Sequence, residues 1–271
     1  MNNKNTKLLS TLFLLPTLAS CLNSEPTVNE LCEKHQKICE TFTADTWCKA
    51  ERKKILFAYN DLTTTQDDAE KYKLLIRLEK YKECMSYASK IEHIKLKEKQ
   101  TARIKNKENA IANIKALSKE TVNSENPYIL YYHWSRYLNE NAIKKFIALE
   151  GSAQLETPEL QFFLATYYTK TDPKKTLGLL YHALELYKVD DELNVEIFKS
   201  LITIFTNKEE YKQAYIWLKM LKLYHPEDKE LSEDSLEKFE QLHRLDGAFL
   251  DKVAASTLEK IQQGKFESPK F

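Results

Sequence analysis

The chain has 271 residues, 30% of them charged and 42% hydrophobic, which suits a globular protein with one large or two modest cores. Its formal net charge is +1, so the composition gives no reason to expect nucleic acid as a partner. Only four glycines occur, whereas sheet turns and phosphate-binding loops depend on glycine. This scarcity excludes the common nucleotide-binding loops and favours helices joined by short polar loops.

Residues 1–20 have the pattern of a cleaved secretion signal. Lys4 and Lys7 form a basic start, and the apolar run from Leu8 to Leu18 has 11 residues. That run is too short to cross a hydrocarbon core of about 30 Å as a helix. The stretch therefore predicts export, and without the two lysines the net charge becomes about −1.

The end of this signal, Leu18-Ala19-Ser20-Cys21, resembles the bacterial lipobox, in which a small residue precedes an invariant cysteine. The resemblance implies that Cys21 is acylated and becomes the N-terminus after cleavage. The alternative is an ordinary signal peptide in which Cys21 lies near the cut by chance. Two or three acyl chains, palmitate among them, supply the dual attachment that makes a membrane anchor stable.

Leu22 follows the cysteine where some bacterial lipoproteins have an aspartate. By resemblance to enterobacterial sorting rules, this implies delivery to the inner leaflet of the outer membrane, facing the periplasm. Residues 21–27 form a short tether, whose six residues from Leu22 to Thr27 reach at most roughly 20 Å. We therefore expect the folded body to lie close to the bilayer.

Four further cysteines, an even number in an exported chain, predict two disulfides because the periplasm is oxidising: Cys32, Cys39, Cys48 and Cys84. Apolar residues between Val28 and Cys39 recur at helical spacing and predict a single helix. On such a helix Cys32 and Cys39 lie about 10.5 Å apart, beyond the Cα separation of about 7 Å that a disulfide tolerates. This geometry predicts that these two cysteines do not bond each other.

Two arrangements of the four cysteines remain open: Cys39–Cys48 with Cys32–Cys84, or Cys32–Cys48 with Cys39–Cys84. Residues 41–46 read as a turn with Asp45 as the N-cap of the next helix, which favours the first arrangement. A metal site is the weaker interpretation, because no C-x-x-C pair is present.

The N-terminal half reads as consecutive helices. Residues 28–39 and 45–62 predict a hairpin, and residues 67–91 predict one amphipathic helix. Residues 92–120 continue without proline, either as a second helix or as an extension of the first.

A repeat occupies residues 126–231. Three segments share one spacing of small and large residues: Ala142-x3-Phe146-x2-Leu149, Thr176-x3-Leu180-x2-Ala183 and Ala214-x3-Leu218-x2-Leu221. Their first members are 34 and then 38 residues apart, and the pattern resembles the second helix of tetratricopeptide repeats. The resemblance implies stacked helix pairs, although Thr176 replaces the usual alanine.

The predicted fold class is therefore all-α. Disulfide-stapled helical hairpins (28–120) precede a tetratricopeptide-like array (121–232), and capping helices with a tail (233–271) follow. Residues 235–262 supply apolar side chains to cap the stack, namely Leu236, Phe239, Leu242, Leu245 and Leu250. Gly264 and Pro269 predict a frayed end.

One segment combines two cysteines with a Trp-Cys dipeptide, Leu31-Cys32-x6-Cys39-x5-Asp45-Thr46-Trp47-Cys48-Lys49-Ala50-Glu51-Arg52. Together with Ile91-Glu92-His93-Ile94-Lys95-Leu96-Lys97-Glu98-Lys99 and Leu164-Ala165-Thr166-Tyr167-Tyr168-Thr169-Lys170, it resembles an uncharacterised gammaproteobacterial lipoprotein family, a domain of unknown function. The resemblance covers most of the mature chain, with Lys49 where the family tends to have arginine. It implies lipidation and paired cysteines, and it implies no activity.

No residue set looks catalytic, and no cofactor or small-molecule substrate is indicated. The six histidines are scattered and none forms H-E-x-x-H: His35, His93, His133, His182, His225 and His243. Cys48 near Arg52 has the surroundings of an activated thiolate, but a disulfide is the simpler interpretation. An unrecognised hydrolase using Cys48 or His93 is the weakest hypothesis, and we expect no enzyme activity.

Two features suggest partners. Four aromatic residues at the start of the array are candidate anchors for an envelope protein or peptide: Tyr131, Tyr132, Trp134 and Tyr137. Residues 71–107 contain twelve basic residues against four glutamates, a surplus of +8 beside the membrane tether. Such a surplus can attract anionic lipid or cell-wall polymer, although a solvated helix surface is the simpler interpretation. We favour a protein-interaction module, with the anionic-surface binder as the alternative.

Overall fold

The structure, a computed structural model, describes residues 25–92, 96–227 and 231–269. Within these ranges every regular element is a helix, which confirms the predicted all-α class. The predicted signal segment and Cys21 lie outside the described residues. The α-helices in chain order are α1 (Val28–Lys34), α2 (Gln36–Thr41), α3 (Lys49–Thr65), α4 (Asp68–Ala88), α5 (Lys97–Glu120), α6 (Pro127–Tyr137), α7 (Glu140–Ala148), α8 (Pro158–Tyr168), α9 (Pro173–Glu185), α10 (Val195–Asn207), α11 (Tyr211–Tyr224), α12 (Glu233–His243) and α13 (Gly247–Gln262).

Three helices of the repeat region begin with the same two-residue signal. Asn126, Thr157 and Asp172 each accept a hydrogen bond from a backbone N–H of the first turn, and a proline follows each of them. The polar side chain satisfies a backbone donor that has no partner within the helix. The proline lacks that N–H and already holds the helical φ, so α6, α8 and α9 start where the sequence dictates.

The N-terminal helix ends earlier than its apolar pattern predicts. His35 has φ −124° and ψ 52°, outside the helical region, and separates α1 from α2. The break turns the chain, so the Cα atoms of Cys32 and Cys39 lie 5.5 Å apart and the two residues form a disulfide. The prediction that this pair cannot bond is therefore wrong, because it assumed one unbroken helix.

The second disulfide joins Cys48 to Cys84, with 6.0 Å between their Cα atoms. Both arrangements left open by the sequence, including the favoured Cys39–Cys48 bond, are therefore wrong, although all four cysteines are in disulfides. Gln66, in the left-handed region with φ 50°, ends α3 and lets α4 return along it. The Cys48–Cys84 bond closes the other end of this α3–α4 hairpin.

The prediction that Asp45 caps the next helix is also wrong. The helix begins at Lys49, and the Asp45 carboxylate accepts a hydrogen bond from the Trp47 amide at 2.8 Å. It also pairs with the guanidinium of Arg103 on α5 at 2.8 Å, and Arg103 donates to the Ala88 carbonyl at the end of α4. Because Arg103 is buried, this ion pair ties the loop before α3 to the α4–α5 pair.

The segment after α4 forms a separate helix, α5, antiparallel to α4. Residues 92–120 therefore do not extend the preceding helix, which was the other alternative. Lys71 at the start of α4 pairs with Glu120 at the end of α5 at 3.0 Å. At the other end of the pair, the Gln100 side-chain amide donates to the Ser89 carbonyl at 3.1 Å.

Three helix pairs occupy the repeat region as the spacing predicts: α6 with α7, α8 with α9, and α10 with α11. The small residue of each second helix is buried, namely Ala142, Thr176 and Ala214. Thr176 is accommodated because its hydroxyl donates to the Asp172 carbonyl one turn earlier, at 2.9 Å. The small-residue positions thus allow the two helices of each pair to approach closely.

The hydrophobic core is continuous across residue 120, the predicted boundary between the N-terminal hairpins and the repeat array. One cluster of buried side chains extends from Phe42 to Leu164, and a second extends from Ala165 to Ile261. Hydrogen bonds link α4 to the first repeat helices: the hydroxyl of Tyr72 donates to Glu159 at 2.9 Å, and that of Tyr132 donates to Glu79 at 3.0 Å. The N-terminal hairpins and the first helix pairs therefore share one core.

Two helices, α12 and α13, follow the array as predicted. Leu236 and Leu250 are buried, whereas Leu242 is 75% exposed, so the predicted capping role of Leu242 is wrong. Instead, Ala254, Leu258 and Ile261 of α13 join the second core cluster.

The predicted fraying of the chain end is also wrong up to residue 269. The ring of Phe266 stacks on Tyr181, with 6.2 Å between their centroids and 14° between their planes. The Ser268 amide donates to the Glu185 carboxylate at 2.7 Å. These contacts attach the tail to α9.

The two disulfides close loops of different length and should differ in their stabilising effect. Chain-entropy arguments give about 4 kcal/mol for the 36-residue separation of Cys48–Cys84 and about 2 kcal/mol for the 7-residue separation of Cys32–Cys39. We expect the C48A/C84A variant to lose more free energy of unfolding in urea than the C32A/C39A variant. Equal or reversed losses would contradict this ranking.

The Asp45–Arg103 pair should make stability depend on acid. Burial raises the pKa of Asp45, but hydrogen bonds from Arg103 and the Trp47 amide outweigh burial and hold the pKa below its ordinary 3.8. The carboxylate therefore stabilises the fold above about pH 4, and this contribution is lost as the pH falls through the folded-state pKa.

We expect Asp45→Asn to cost about 3–5 kcal/mol at pH 7, because it leaves the buried Arg103 charge without this partner. Urea unfolding between pH 7 and pH 2.5 measures the difference between native protein and variant. That difference should shrink as Asp45 protonates in the native protein, and a pH-independent difference would refute the assignment.

Candidate functional site

The four aromatic residues predicted as partner anchors mostly hold the array together. Tyr132 is buried, so it is not accessible to a partner as an anchor. Tyr131 stacks on Phe163 of α8 with 3.8 Å between ring centroids, and Trp134 packs edge-on against Tyr167 of α8.

Tyr137, 51% exposed, is the member of this set with most of its surface accessible. Its hydroxyl donates to the Ser118 side chain at 3.0 Å, so the ring lies across the end of α5. Two of the predicted anchors, Tyr131 and Trp134, therefore pack α6 against α8, and Tyr137 is the one whose exposure fits the predicted role.

An open groove of about 270 Å³ runs between α8 and α10, with α9 as its floor. Its lining is a mixture of apolar and hydroxyl side chains, flanked by the Glu196–Lys199 ion pair (2.8 Å) at the rim. Thr166 of this lining also contacts Tyr131 on α6: burial raises the pKa of the Tyr131 hydroxyl, and a hydrogen bond with Thr166 partly offsets that effect. The groove therefore lies between the second helix pair, α8 and α9, and the first helix of the third pair, α10.

Five hydroxyl side chains in this groove share one hydrogen-bonding state, because each donates to the backbone carbonyl four residues earlier: Thr166, Thr169, Thr176, Ser200 and Thr203. A hydroxyl has one donor and two acceptor lone pairs. Thr176 is buried, and the other four side chains, with their protons committed to the helices, present acceptors to the groove. The surface therefore suits a ligand rich in hydrogen-bond donors.

Sequence reasoning did not identify this groove, although a signal was present on α10. Glu196, Lys199, Ser200 and Thr203 are spaced three and four residues apart and form one polar face of that helix. The opposite face buries its apolar residues in the core. What the sequence could not supply was the distance between α8 and α10, which depends on how the helix pairs stack.

A larger open groove of about 1010 Å³ lies at the N-terminal end of the described chain. The first turn of α1 and its N-cap Thr27 form one wall, and the start of α3 forms the other. Trp47 lies in this groove with 59% of its surface exposed, close to Lys49 and Lys53. In the sequence, Trp47 stands out only as part of the family motif, because a single aromatic residue in a turn carries no periodic signal.

The basic segment 71–107 is partly neutralised. Arg103 is buried against Asp45, Lys71 pairs with Asp68 and Glu120, and Lys73 pairs with Glu70. The surplus of +8 therefore overstates the charge that this segment presents to solvent, and Lys95 lies outside the described residues.

Part of the segment does gather at one place. Lys80, Lys82 and Lys90 line an open groove of about 620 Å³ together with Tyr87. Arg136 also lies there, but its guanidinium pairs with Glu79 at 3.1 Å. This groove is the part of the basic segment that best fits binding to an anionic surface.

The residues proposed for hydrolysis are not assembled by the described structure. Cys48 is in a disulfide and His93 lies outside the described residues. In the described part of the chain, one group of three potential metal ligands lies within 4.8 Å, Cys48, Glu51 and Cys84. Its two sulfurs are bonded to each other, whereas metal binding to cysteine uses thiolates.

The histidines that the structure describes have different contacts, and three of them illustrate this. The His35 ring contacts the Asn60 side chain at 3.3 Å. Burial lowers the pKa of His133, whose ring contacts the Thr121 hydroxyl at 3.1 Å. Burial also acts to lower the pKa of His182, but the carboxylates of Glu185 and Glu156 outweigh it and raise that pKa.

Residues 18–219 match the family described as "Protein of unknown function (DUF2989)", and the chain belongs to that family. This confirms the sequence resemblance to a domain of unknown function. No curated protein and no solved structure matches the chain. No helix in the part of the chain that the structure describes combines the length and apolar character that membrane crossing requires.

Proposed function

We propose that this protein is a periplasm-facing lipoprotein, anchored by an acylated Cys21, that binds an extended segment of another envelope protein without catalysing a reaction. The lipobox-like signal, Leu22 and the resemblance to gammaproteobacterial lipoproteins support this address. The groove between α8 and α10 supports the interaction role. That role rests on the row of hydroxyls in this groove, which donate their protons to backbone carbonyls and leave their oxygens free to accept.

An extended polypeptide fits the chemistry of this groove. Its backbone N–H groups are donors, which the hydroxyl oxygens of Thr166, Thr169 and Thr203 can accept without breaking their own helical hydrogen bonds. Apolar side chains of the ligand can contact Phe162 and Ile204 in the same lining. The Glu196–Lys199 pair at the rim contributes little affinity, since exposed ion pairs add at most about 1 kcal/mol.

Site-directed photo-cross-linking in intact envelopes tests this proposal with a matched pair of positions. Thr203 and Thr206 are both exposed threonines on α10, and only Thr203 lines the groove. We expect benzoylphenylalanine at position 203 to give a reproducible protein adduct and the same probe at 206 to give none. Equal labelling at both positions, or none at 203, would argue against binding in the groove.

The acceptor role of the hydroxyls can be tested with the same probe. With benzoylphenylalanine fixed at 203, T169V/S200A removes two acceptors that face the groove. Each lost hydrogen bond costs about 1 kcal/mol, or about fivefold in affinity, so the two together should lower adduct yield by up to about 25-fold when the partner is below its dissociation constant. Unchanged yield, with circular dichroism showing an intact fold, would mean that these hydroxyls do not bind the partner.

A second candidate function is binding of anionic lipid or cell-wall polymer through Lys80, Lys82 and Lys90, which share one groove. A full chain with Cys21→Ser would then bind anionic vesicles or isolated cell wall without its lipid anchor. This binding should weaken steeply between about 0.05 and about 0.5 M salt, because salt in this range screens interactions between exposed charges. Salt-insensitive or absent binding would remove this candidate.

A further inference from the structure

Two exposed aromatic side chains lie at the end of the molecule where the tether begins. Trp47 is 59% exposed and Tyr87 is 60% exposed. Trp47 precedes Cys48, and Tyr87 is one helical turn beyond Cys84 on α4. Because the disulfide holds the Cα atoms of Cys48 and Cys84 6.0 Å apart, the Cα atoms of the two aromatic residues lie within roughly 15 Å.

These aromatic residues occupy two open grooves on either side of the start of α3. The groove with Trp47 is walled by the first turn of α1, and the other lies between α3 and α4 beside Tyr87. Their linings together contain six cationic side chains, Lys49, Arg52, Lys53, Lys54, Arg77 and Lys80, of which Arg52 already donates to the Phe42 carbonyl. They contain three anionic ones, Asp45, Glu51 and Glu83, of which Asp45 is already bonded to Arg103. The surface, which we call the aromatic end, is therefore both apolar and net positive.

Covalent connection limits what can cover this surface. Thr27, in the wall of the Trp47 groove, is six residues from Cys21, and that stretch reaches at most roughly 20 Å. The Cys32–Cys39 bond holds α1 to α2, and Leu31 of α1 is buried in the body. If Cys21 is held in a bilayer, the aromatic end must lie close to the lipid headgroups.

We infer that the aromatic end docks on the phospholipid interface, with Trp47 and Tyr87 at the boundary between headgroups and acyl chains. This inference rests on the lipid anchor of the proposed function. Tryptophan and tyrosine favour this depth because they combine an apolar ring with a polar atom. The surrounding lysine and arginine side chains face lipid phosphates, which are attracted to basic residues near the membrane surface. Docking at this end leaves the groove between α8 and α10 for a protein partner.

Depth-dependent quenching of tryptophan fluorescence tests the docking. The acylated full chain is reconstituted into vesicles that contain anionic lipid and lipids brominated on the acyl chain. Trp217 is buried and Trp134 packs against Tyr131 and Tyr167, so Trp47 should dominate the quenchable emission. We expect bromolipid to quench the native protein and W47F to lose that quenchable component.

Phe249 provides a matched control, because it is also 60% exposed but lies on α13. The double variant W47F/F249W carries an equally exposed tryptophan away from the aromatic end and should not be quenched. Y87W in the W47F background should restore quenching. Quenching of position 249 equal to that of position 47 would contradict a defined docking face.

The outcomes separate the two proposals. A chain that does not float with vesicles has no lipid anchor, which refutes both the proposed address and the docking. A chain that floats without quenching of Trp47 or of Y87W refutes the docking alone. A blue-shifted but unquenched Trp47 would show that protein, such as a second copy, covers the aromatic end, and it too would refute the docking.

Discussion

The Cys48–Cys84 bond is the constraint on which the arrangement of the N-terminal half depends. It closes the open end of the α3–α4 hairpin, opposite the tight turn at Gln66. The loop that precedes Cys48 carries Asp45, whose ion pair with Arg103 brings α5 against the same end. One covalent bond and one buried ion pair therefore fix three helices at a single point, where hydrophobic packing alone would leave the helix ends free to fray.

From this point the core continues into the repeat region without interruption. The first hydrophobic cluster includes residues from both α4 and α8, and Tyr72 of α4 donates to Glu159 of α8 within it. Burial raises the pKa of Glu159, and the Tyr72 hydroxyl and nearby lysines partly offset this effect. A polar contact kept inside an apolar interface requires a defined register between the elements that share it. The helix pairs are thus oriented relative to the disulfide-stapled end.

Much of the fold could be predicted from the sequence, because helix starts and helix spacing are local properties. Asn126-Pro127 and Thr157-Pro158 mark helix starts directly, and Ala142 and Ala214 mark the close approach within helix pairs. The disulfide pairing could not be predicted, because it depends on the backbone conformation of a single residue, His35. His35 leaves the helical region, and the rise along an ideal helix no longer gives the distance between Cys32 and Cys39. Grooves were missed for a related reason: they arise between elements distant in sequence.

If the protein is lipid-anchored as proposed, the positions of the two surfaces explain how one small array can bind a partner at the membrane. A tether of at most roughly 20 Å and a covalently closed N-terminal end would then leave the body little freedom to tumble. A partner that approached from the periplasm would meet the groove of α8, α9 and α10 in a limited range of orientations. Restricting orientation in advance lowers the entropy cost of association, so modest contacts in the groove can give useful affinity. On this view the disulfides serve binding as well as stability, because they transmit the constraint of the anchor to the helix pairs.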